Sequence, residues 1–261
     1  MSVFIAFPAY HQFHCRFRLM DAKPKPGNEV LFLVMIGILM LLGLAVVVFM
    51  PMKHSQDGGP LRGCGDRLKA VAFAMHKHHD LTMAFPAAYS VDKDGSILQG
   101  WRVAVLPFLD EPALYESIRR DEPWDSFHNS RYHGTNWMHF HCPDTHSSLQ
   151  CCYSVVLGPD TPFTGPERWD FADITDGTSN TIMCVERRTP LDCWMDPTRE
   201  VTQSDAEKGI NVSPEGIGSP HPGGTQVMFC DGAVRFLRDS IDPALLKAML
   251  TRGGGESLPL P

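Results

Sequence analysis

The residues best suited to chemistry are a histidine and an acid near the carboxyl end of the chain. In the stretch SPHPGGTQVMFCDGAVRFL, nine residues separate His221 from the pair Asp231-Gly232. A histidine oriented by a carboxylate is a common general base, so this spacing raises the question of catalysis. Asp-Gly between two alternating apolar runs is also the strongest short-range signal for a β-hairpin with a type I′ turn. We therefore predict structural roles for all three residues, with a catalytic His–Asp pair as the alternative.

A second Asp-Gly pair lies in DITDGTSNTIMCVE, residues 173–186. The residues after it are Thr, Ser, Asn and Thr, whose side chains hydrogen-bond their own backbone and favour a turn. We predict structural roles for Asp176, Gly177 and Asn180. The alternative is a calcium site that uses oxygens of Asp173, Asp176 and Asn180, although their spacing is not that of a known calcium loop.

Histidines form two clusters that suggest a metal site. His76 and His79 are three positions apart on a predicted helix and therefore share a face. His139 and His141 share a face if their segment is extended. Imidazole is a preferred zinc ligand, so one possibility is a zinc site built from these four histidines. The other is that the histidines lie at the surface and bind no metal. Our main prediction for the chain is that it has no cofactor.

Other signatures of catalysis are missing from the sequence. There is no G-x-S-x-G nucleophile motif, no Walker A motif and no G-x-G-x-x-G loop. The net charge of −7 argues against a general nucleic-acid-binding protein, which would carry a basic patch. We predict a protein that is not an enzyme and has no nucleic-acid partner.

The elements that must position these residues begin with an apolar segment, VLFLVMIGILMLLGLAVVVFMPM, at residues 30–52. It contains no charged side chain, and about 20 apolar residues span the hydrocarbon core of a bilayer. We predict a transmembrane helix over 30–52 rather than a cleaved signal, whose apolar core would be shorter. The basic residues that precede the segment favour an N-terminus in the cytoplasm and a periplasmic C-terminal domain: Arg16, Arg18, Lys23 and Lys25.

Around the apolar segment we predict three further regions. Residues 1–29 form a cytoplasmic lead in which Met20 is a candidate true start. Residues 53–65 form a linker rich in glycine and proline. Residues 66–261 form the extracytoplasmic domain.

Periodicity predicts both helices and short strands for this domain. A helix over Asp66–Asp80 has an apolar stripe at Leu68, Val71, Ala72 and Met75, with Asp66 as its N-cap. Short strands are predicted over 154–157, 181–186, 225–230 and 233–237. A final helix begins after Asp242.

Several motifs in a fixed order resemble one bacterial family. They include CGDRLKAVAFAMHKHHDLTMAFP, GWRVAVLPFLDEPALYE, ITDGTSNTIMCVE and HPGGTQVMFCDGAVRFL. With its H-X9-DG motif, the chain resembles the domain-of-unknown-function 1559 family, a group related to type IV pilins and type II secretion pseudopilins. The resemblance covers Cys64 to Glu256.

The resemblance implies a pilin-like plan, in which a membrane helix precedes an α+β domain with an antiparallel sheet. It does not imply an enzymatic activity. It also implies that Cys64 and Cys142 occupy family positions, where a disulfide would close a loop of about 80 residues and contribute about 4–5 kcal/mol on the chain-entropy model. The implied partners are the lipid bilayer and other pilin-like or secretion-system subunits.

The start of the chain departs from the family pattern. Gly27 is followed by Asn28-Glu29, whereas a prepilin signal has phenylalanine first and glutamate at the fifth mature position. We therefore predict a permanently anchored structural or interaction protein of the bacterial inner membrane. The alternatives are a periplasmic metal- or ligand-binding domain that uses the histidine and cysteine clusters, and a true pseudopilin that enters a fibre.

Overall fold

The computed structural model describes Leu33, Met35, 60–135, 137–142 and 150–255. The chain divides into two units, Met1–Ser55 and Gln56–Pro261, and the elements below belong to the second unit. The predicted lead and nearly all of the predicted membrane helix lie outside the described residues. In the part of the chain that is described, no helix is both long enough and apolar enough to cross a membrane.

The domain begins with a long helix, α1, over Pro60–Thr82. It starts six residues before the predicted N-cap Asp66, so residues 60–65 are helical and do not belong to a linker. A proline is well tolerated as the first helical residue, because its fixed φ suits the helix and its missing N–H would have had no partner in the helix. The helix ends at Thr82, and Met83 after it adopts the left-handed conformation at φ 59°.

The elements that follow are short. They are β1 (Tyr89–Val91), β2 (Ile97–Gly100), α2 (Trp101–Val105), α3 (Pro112–Ser117), β3 (Cys151–Leu157), β4 (Ile182–Leu191), β5 (Val201–Thr202), α4 (Gln203–Ala206), β6 (Gly224–Phe229), β7 (Val234–Arg238) and α5 (Pro243–Leu250). Single 3-10 turns occupy Leu106–Phe108, Asn129–Tyr132, Trp137–His139 and Phe171–Asp173.

The main sheet has the strand order β5-β3-β4-β6-β7. All neighbours are antiparallel except β3 and β5, which pair in parallel with Val156 opposite Val201. The α+β class is as predicted, but the sheet is mixed rather than purely antiparallel. The side chain of Glu200 accounts for the added strand, because its carboxylate accepts hydrogen bonds from β3 and so holds β5 beside it.

The sheet is covered on both faces, because successive residues of a strand point to opposite sides. Tyr153 and Met228 pack in the core that contains the buried stripe of α1, which is the predicted stripe. Val156 and Val227 pack in a second core with Leu246 of α5.

The hairpin of β6 and β7 is confirmed, but its predicted turn type is wrong. A type I′ turn needs positive φ at both central residues. In the described chain Gly232 has φ 84°, and Asp231 is not among the residues with positive φ. Phe229 N donates to the Ala233 carbonyl oxygen, which closes a three-residue loop. The Asp231 carboxylate accepts from Ala233 N at 2.8 Å and so stabilises the turn.

Candidate functional site

Four buried side chains from separate parts of the chain meet in the domain: Cys64, Cys142, Glu186 and His221. One ligand atom of each lies within 4.8 Å of those of the other three. Cys64 and Cys142 are joined by a disulfide with a Cα–Cα distance of 5.2 Å, at the two positions that the family resemblance implied. We call these four residues the cysteine centre.

Helix α1 positions Cys64. This residue extends the buried stripe by one turn, since Cys64, Leu68, Val71 and Met75 follow at helical spacing and all are fully buried. The Tyr153 hydroxyl of β3 donates to the Cys64 carbonyl oxygen at 3.0 Å, which fixes the first turns of α1 against the sheet.

The segment 140–142 is held from two sides. Arg67 of α1 donates from Nη1 to the His141 carbonyl oxygen at 2.8 Å. Cys152 N at the start of β3 donates to the Phe140 carbonyl oxygen at 2.7 Å. Cys142 therefore reaches Cys64 from a backbone tied to both α1 and the sheet, and Cys152 packs beside the pair without belonging to the centre.

The loop SPHPGG positions His221. The Ser219 hydroxyl accepts from His221 N at 3.2 Å and donates to the Gly224 carbonyl oxygen at 2.8 Å. Gly223 adopts φ 84°, and a Cβ at Gly224 would collide with the Leu237 carbonyl oxygen, so both positions favour glycine. This geometry turns the imidazole inward, with Nε2 at 3.3 Å from Cys64 Sγ and 3.6 Å from Cys142 Sγ.

Glu186 reaches the centre from β4. Its Oε2 accepts from Thr225 Oγ1 at 3.0 Å and from Gln226 N at 2.8 Å, both on the neighbouring strand β6. These bonds orient a carboxylate that is only 1% exposed. One signal in the sequence could have located this residue: it is an acid at the end of the apolar run TIMCVE.

The His–Asp alternative is wrong, because the two residues lie at opposite ends of β6. His221 precedes the strand and is buried, whereas Asp231 follows it in an exposed turn. A strand of six residues spans about 20 Å at about 3.3 Å per residue. His221 belongs instead with Glu186 and the two sulfur atoms.

The chain matches a family model over residues 63–167 and 188–244. The matched segments cover more than half of the chain, and the family is described as protein of unknown function, DUF1559. The chain belongs to this family. Comparisons with the curated proteins and with the solved structures find no match. Three residues of the cysteine centre lie within the matched segments, and Glu186 lies between them.

The DGTSN motif of this family member forms a clamp for the C-terminal segment. The Asp176 carboxylate accepts from Gly254 N at 2.7 Å and Gly255 N at 2.9 Å, and Asn180 Nδ2 donates to the Asp176 carbonyl oxygen at 2.8 Å. Gly177 takes φ 96° to make the turn. The Asp173 carboxylate accepts from Asp170 N at 2.8 Å, so the carboxylates of Asp173 and Asp176 are both bonded to backbone N–H groups, which favours the structural prediction over a calcium site.

The four histidines proposed as a zinc site do not come together. Among the described residues, one group of potential metal ligands forms, and it contains none of the four. His76 and His79 pack against the rings of Phe85 and Phe171. His139 Nε2 lies 3.8 Å from a Glu111 carboxylate oxygen, and His141 Nδ1 lies 3.3 Å from the Gln150 carbonyl oxygen. The two histidine clusters therefore contact different parts of the domain. Helical spacing predicts which side chains share a face, but it does not predict which residues that face contacts.

Three other cysteines of the domain are inert buried thiols. Burial raises the pKa of Cys151, Cys184 and Cys230, since desolvation disfavours their thiolates. Cys193 is half-buried, and burial raises the pKa of its thiol as well. Thiolate chemistry at neutral pH is therefore unfavourable at all four.

A second buried polar group, the ion-pair centre, consists of Arg102, Glu200 and Ser154. Arg102 donates from Nη1 to Glu200 Oε1 at 2.6 Å and from Nη2 to Oε2 at 3.2 Å. The Ser154 hydroxyl donates to the same carboxylate at 2.6 Å, and Trp101 Nε1 does so at 3.2 Å. The family motif GWRVAV thus contributes a bidentate ion pair that ties α2 to β3 and β5. Sequence reasoning missed this pair.

A cavity of about 440 Å³ lies between the end of α1 and the β1–β2 hairpin. Its polar lining includes His78, Tyr89, Arg120 and Arg168. Arg168 donates to the Ala84 carbonyl oxygen at 3.4 Å, and Arg120 donates to the Tyr115 carbonyl oxygen at 2.7 Å. The cavity shares no residue with the cysteine centre.

Proposed function

We propose that this family member is a non-enzymatic, single-pass membrane protein with a structural or interaction role of the pilin-like kind. Its domain would lie on the outer side of the bacterial inner membrane, with the N-terminus in the cytoplasm. The observation that carries this proposal is the uncharged segment 30–52, which is separated from Pro60 by seven residues.

The cysteine centre supports an extracytoplasmic domain. Disulfides persist in oxidising compartments such as the periplasm and are rare in the cytosol. The bond between Cys64 and Cys142 joins residues that are 78 positions apart and is buried at both ends, as expected for a structural cross-link.

The burial of the polar centres supports a role other than catalysis. A general base must reach a proton of its substrate, and His221 is only 6% exposed. The Glu200 carboxylate is committed to Arg102, Trp101 and β3. The packing of α1 on a largely antiparallel sheet agrees with the plan that the pilin-like resemblance implies.

The proposal is tested by expressing the full chain in bacteria and washing the membranes with alkaline carbonate. We expect the chain to stay in the membrane and its domain to be digested when protease is added to spheroplasts. The variant Leu39→Arg/Leu42→Arg should leave the membrane, because each central arginine adds about 2.5–3.5 kcal/mol to insertion. The matched variant Leu39→Phe/Leu42→Phe should stay.

Recovery of the wild-type chain in the carbonate wash would contradict anchoring, and protection of the domain in spheroplasts would contradict its orientation. The mass of the N-terminal peptide distinguishes two forms of the proposal. A terminus at Asn28 would indicate prepilin processing and a fibre subunit, whereas a terminus upstream of Gly27 would indicate a permanent anchor.

A further inference from the structure

The distances from the histidine to the two sulfur atoms of the cysteine centre match those of a zinc site. In a tetrahedral site, with Zn–S distances of about 2.3 Å and Zn–N distances of about 2.0–2.1 Å, neighbouring ligand atoms are about 3.3–3.8 Å apart. His221 Nε2 lies 3.3 Å and 3.6 Å from the two sulfur atoms. All four potential ligand atoms fall within 4.8 Å of one another. The disulfide now holds the two sulfur atoms at bonding distance, so one ion could contact all four ligands only after the S–S bond opens and the ligand atoms adjust to zinc distances.

The ligand types also suit zinc. Two cysteines, a histidine and a carboxylate are the groups that bind Zn²⁺ in proteins, and four protein ligands make a closed structural site rather than a catalytic one. Burial of all four residues agrees with a closed site. The bonds from Thr225 and Gln226 to Glu186 are the kind of outer-shell contacts that orient a metal-binding carboxylate.

We propose that, when the Cys64–Cys142 disulfide is reduced, Cys64, Cys142, His221 and Glu186 bind one Zn²⁺ ion. A dithiol reductant supplies two electrons and two protons, which break the S–S bond and leave two thiols, while the reductant becomes a cyclic disulfide. Zinc then forms two Zn–S bonds and releases the two thiol protons to solvent. The proposal concerns the domain alone and does not depend on the membrane anchor.

The two states exclude each other at the same pair of sulfur atoms. A thiolate is the form of cysteine that binds a metal, and a sulfur atom in a disulfide carries no such charge. The centre would therefore join α1 to the segment 140–142 covalently under oxidising conditions and through a metal under reducing ones.

The first test uses the full chain in detergent, reduced with a phosphine and then freed of it. Co²⁺ serves as a visible probe, because its bonds to thiolates give charge-transfer absorption and its d–d bands report tetrahedral geometry. We expect one equivalent of Co²⁺ to bind per reduced chain and to be displaced by Zn²⁺. The oxidised chain should give no thiolate absorption.

Variants then assign the ligands. Cys142→Ser, His221→Gln and Glu186→Gln should each weaken zinc binding by more than the about 10- to 100-fold that loss of an outer-shell contact produces. The matched controls are Cys152→Ser, which alters a thiol packed beside the centre, and His139→Gln, which alters a histidine outside it. Both controls should bind zinc as the wild-type chain does.

Protection of the wild-type cysteines by zinc tests the site without any variant. In urea-free buffer, zinc should slow the alkylation of Cys64 and Cys142 in the reduced chain, as followed by peptide mass, and should leave Cys193 unaffected. Failure of the reduced chain to bind cobalt or zinc would overturn the proposal. Binding that is unchanged in both His221→Gln and Glu186→Gln, or that protects Cys193 instead, would do so too.

Discussion

The cysteine centre and the ion-pair centre are both buried and polar, but their charges are balanced in different ways. In the ion-pair centre the Glu200 carboxylate meets the guanidinium of Arg102, so the opposite charges are both supplied by the chain. In the cysteine centre the Glu186 carboxylate accepts from the neutral donors Thr225 Oγ1 and Gln226 N, beside an imidazole and two sulfur atoms.

Because of this difference, we expect a purely structural role for the ion-pair centre and redox and metal chemistry at the cysteine centre. The ion-pair centre contains no group that a change of redox conditions or the addition of zinc would alter, and its bonds hold α2 and β5 against β3. The cysteine centre has a composition that depends on the oxidation state of two sulfur atoms. Its contribution to stability should therefore change with redox conditions and with metal, whereas that of the ion-pair centre should not.

Reduction of the disulfide should produce the largest loss of stability. The bond closes a loop between residues 78 apart, and the chain-entropy model gives about 4.5 kcal/mol for a loop of that size. We expect the free energy of unfolding of the full chain in detergent to fall by about 4–5 kcal/mol when a phosphine and a chelator are added. Urea titrations with and without the reductant measure this change.

The control for this prediction is Cys193→Ser, which should lose the same amount on reduction. Zinc at about 100 times its dissociation constant should then restore about 2.7 kcal/mol to the reduced chain. A reduced chain that is as stable as the oxidised one would contradict the structural role of the bond.

Removal of a charge from the ion-pair centre should be nearly as severe. Glu200→Gln leaves the Arg102 guanidinium buried without its counter-charge, and breaking a buried pair in this way costs about 3–5 kcal/mol. The loss should be the same with or without zinc. The matched control is Asp66→Asn, which breaks an exposed pair with Lys69 and should cost about 0–1 kcal/mol. Urea titration measures both variants. Equal losses in the free energy of unfolding would mean that the buried ion pair contributes no more to stability than the exposed one.

How well the sequence predicted each centre depends on where its partners lie in the chain. Periodicity located the buried face of α1, and Asp-Gly located the hairpin, because both signals are local. Arg102 and Glu200 are 98 residues apart, and no local pattern links them. The parallel strand β5 was missed for the same reason, since only two residues form it and a distant side chain holds it in place.

The cysteine centre was predicted in part. The family resemblance pointed to Cys64, Cys142 and His221 and to a disulfide between the two cysteines, but not to the approach of His221 and Glu186 to that disulfide. The sequence suggested a zinc site from four other histidines, because three-residue spacing on a helix places side chains on one face. That face of α1 packs against Phe85 and Phe171. Such tertiary contacts cannot be predicted from the spacing of residues along one helix.

Loss of an outer-shell contact should have an intermediate effect. Thr225→Val removes a buried hydroxyl donor to Glu186 Oε2, which keeps its bond from Gln226 N, and loss of a hydrogen bond to a charged group costs about 1.5–3 kcal/mol. It should also weaken zinc binding to the reduced chain by about 10- to 100-fold. The control Thr164→Val removes a similar bond to Glu167 at the surface and should change neither quantity measurably. Cobalt titration and urea titration on the same samples measure both effects, and a zinc affinity unchanged in Thr225→Val would separate Thr225 from the centre.

The Asp-Gly half of the H-X9-DG motif should affect stability and not metal binding. Gly232→Ala places a Cβ at φ 84°, which costs about 1–2 kcal/mol, and within 3.2 Å of His76 Nε2. The matched variant Gly223→Ala has the same φ with no atom within 4 Å of the new Cβ, so it should cost less. Urea titration ranks the two variants. Zinc binding weakened by Gly232→Ala would mean that the turn also shapes the cysteine centre, about one strand length away.

We expect the smallest change in the free energy of unfolding from pH. It arises from histidines of α1 that belong to neither centre. Burial lowers the pKa of His76 and of His78, because desolvation disfavours the imidazolium. The unfolded chain therefore binds protons first as the pH falls through about 6.5, and the unfolded state gains stability relative to the folded one. We expect the contribution of these histidines to be complete above about pH 6.5 and to be lost progressively below it. Urea titrations at neutral and mildly acidic pH should show a smaller acid-induced loss for His76→Gln than for the wild-type chain. A larger loss in the variant would mean that His76 is protonated more readily in the folded domain than in the unfolded chain.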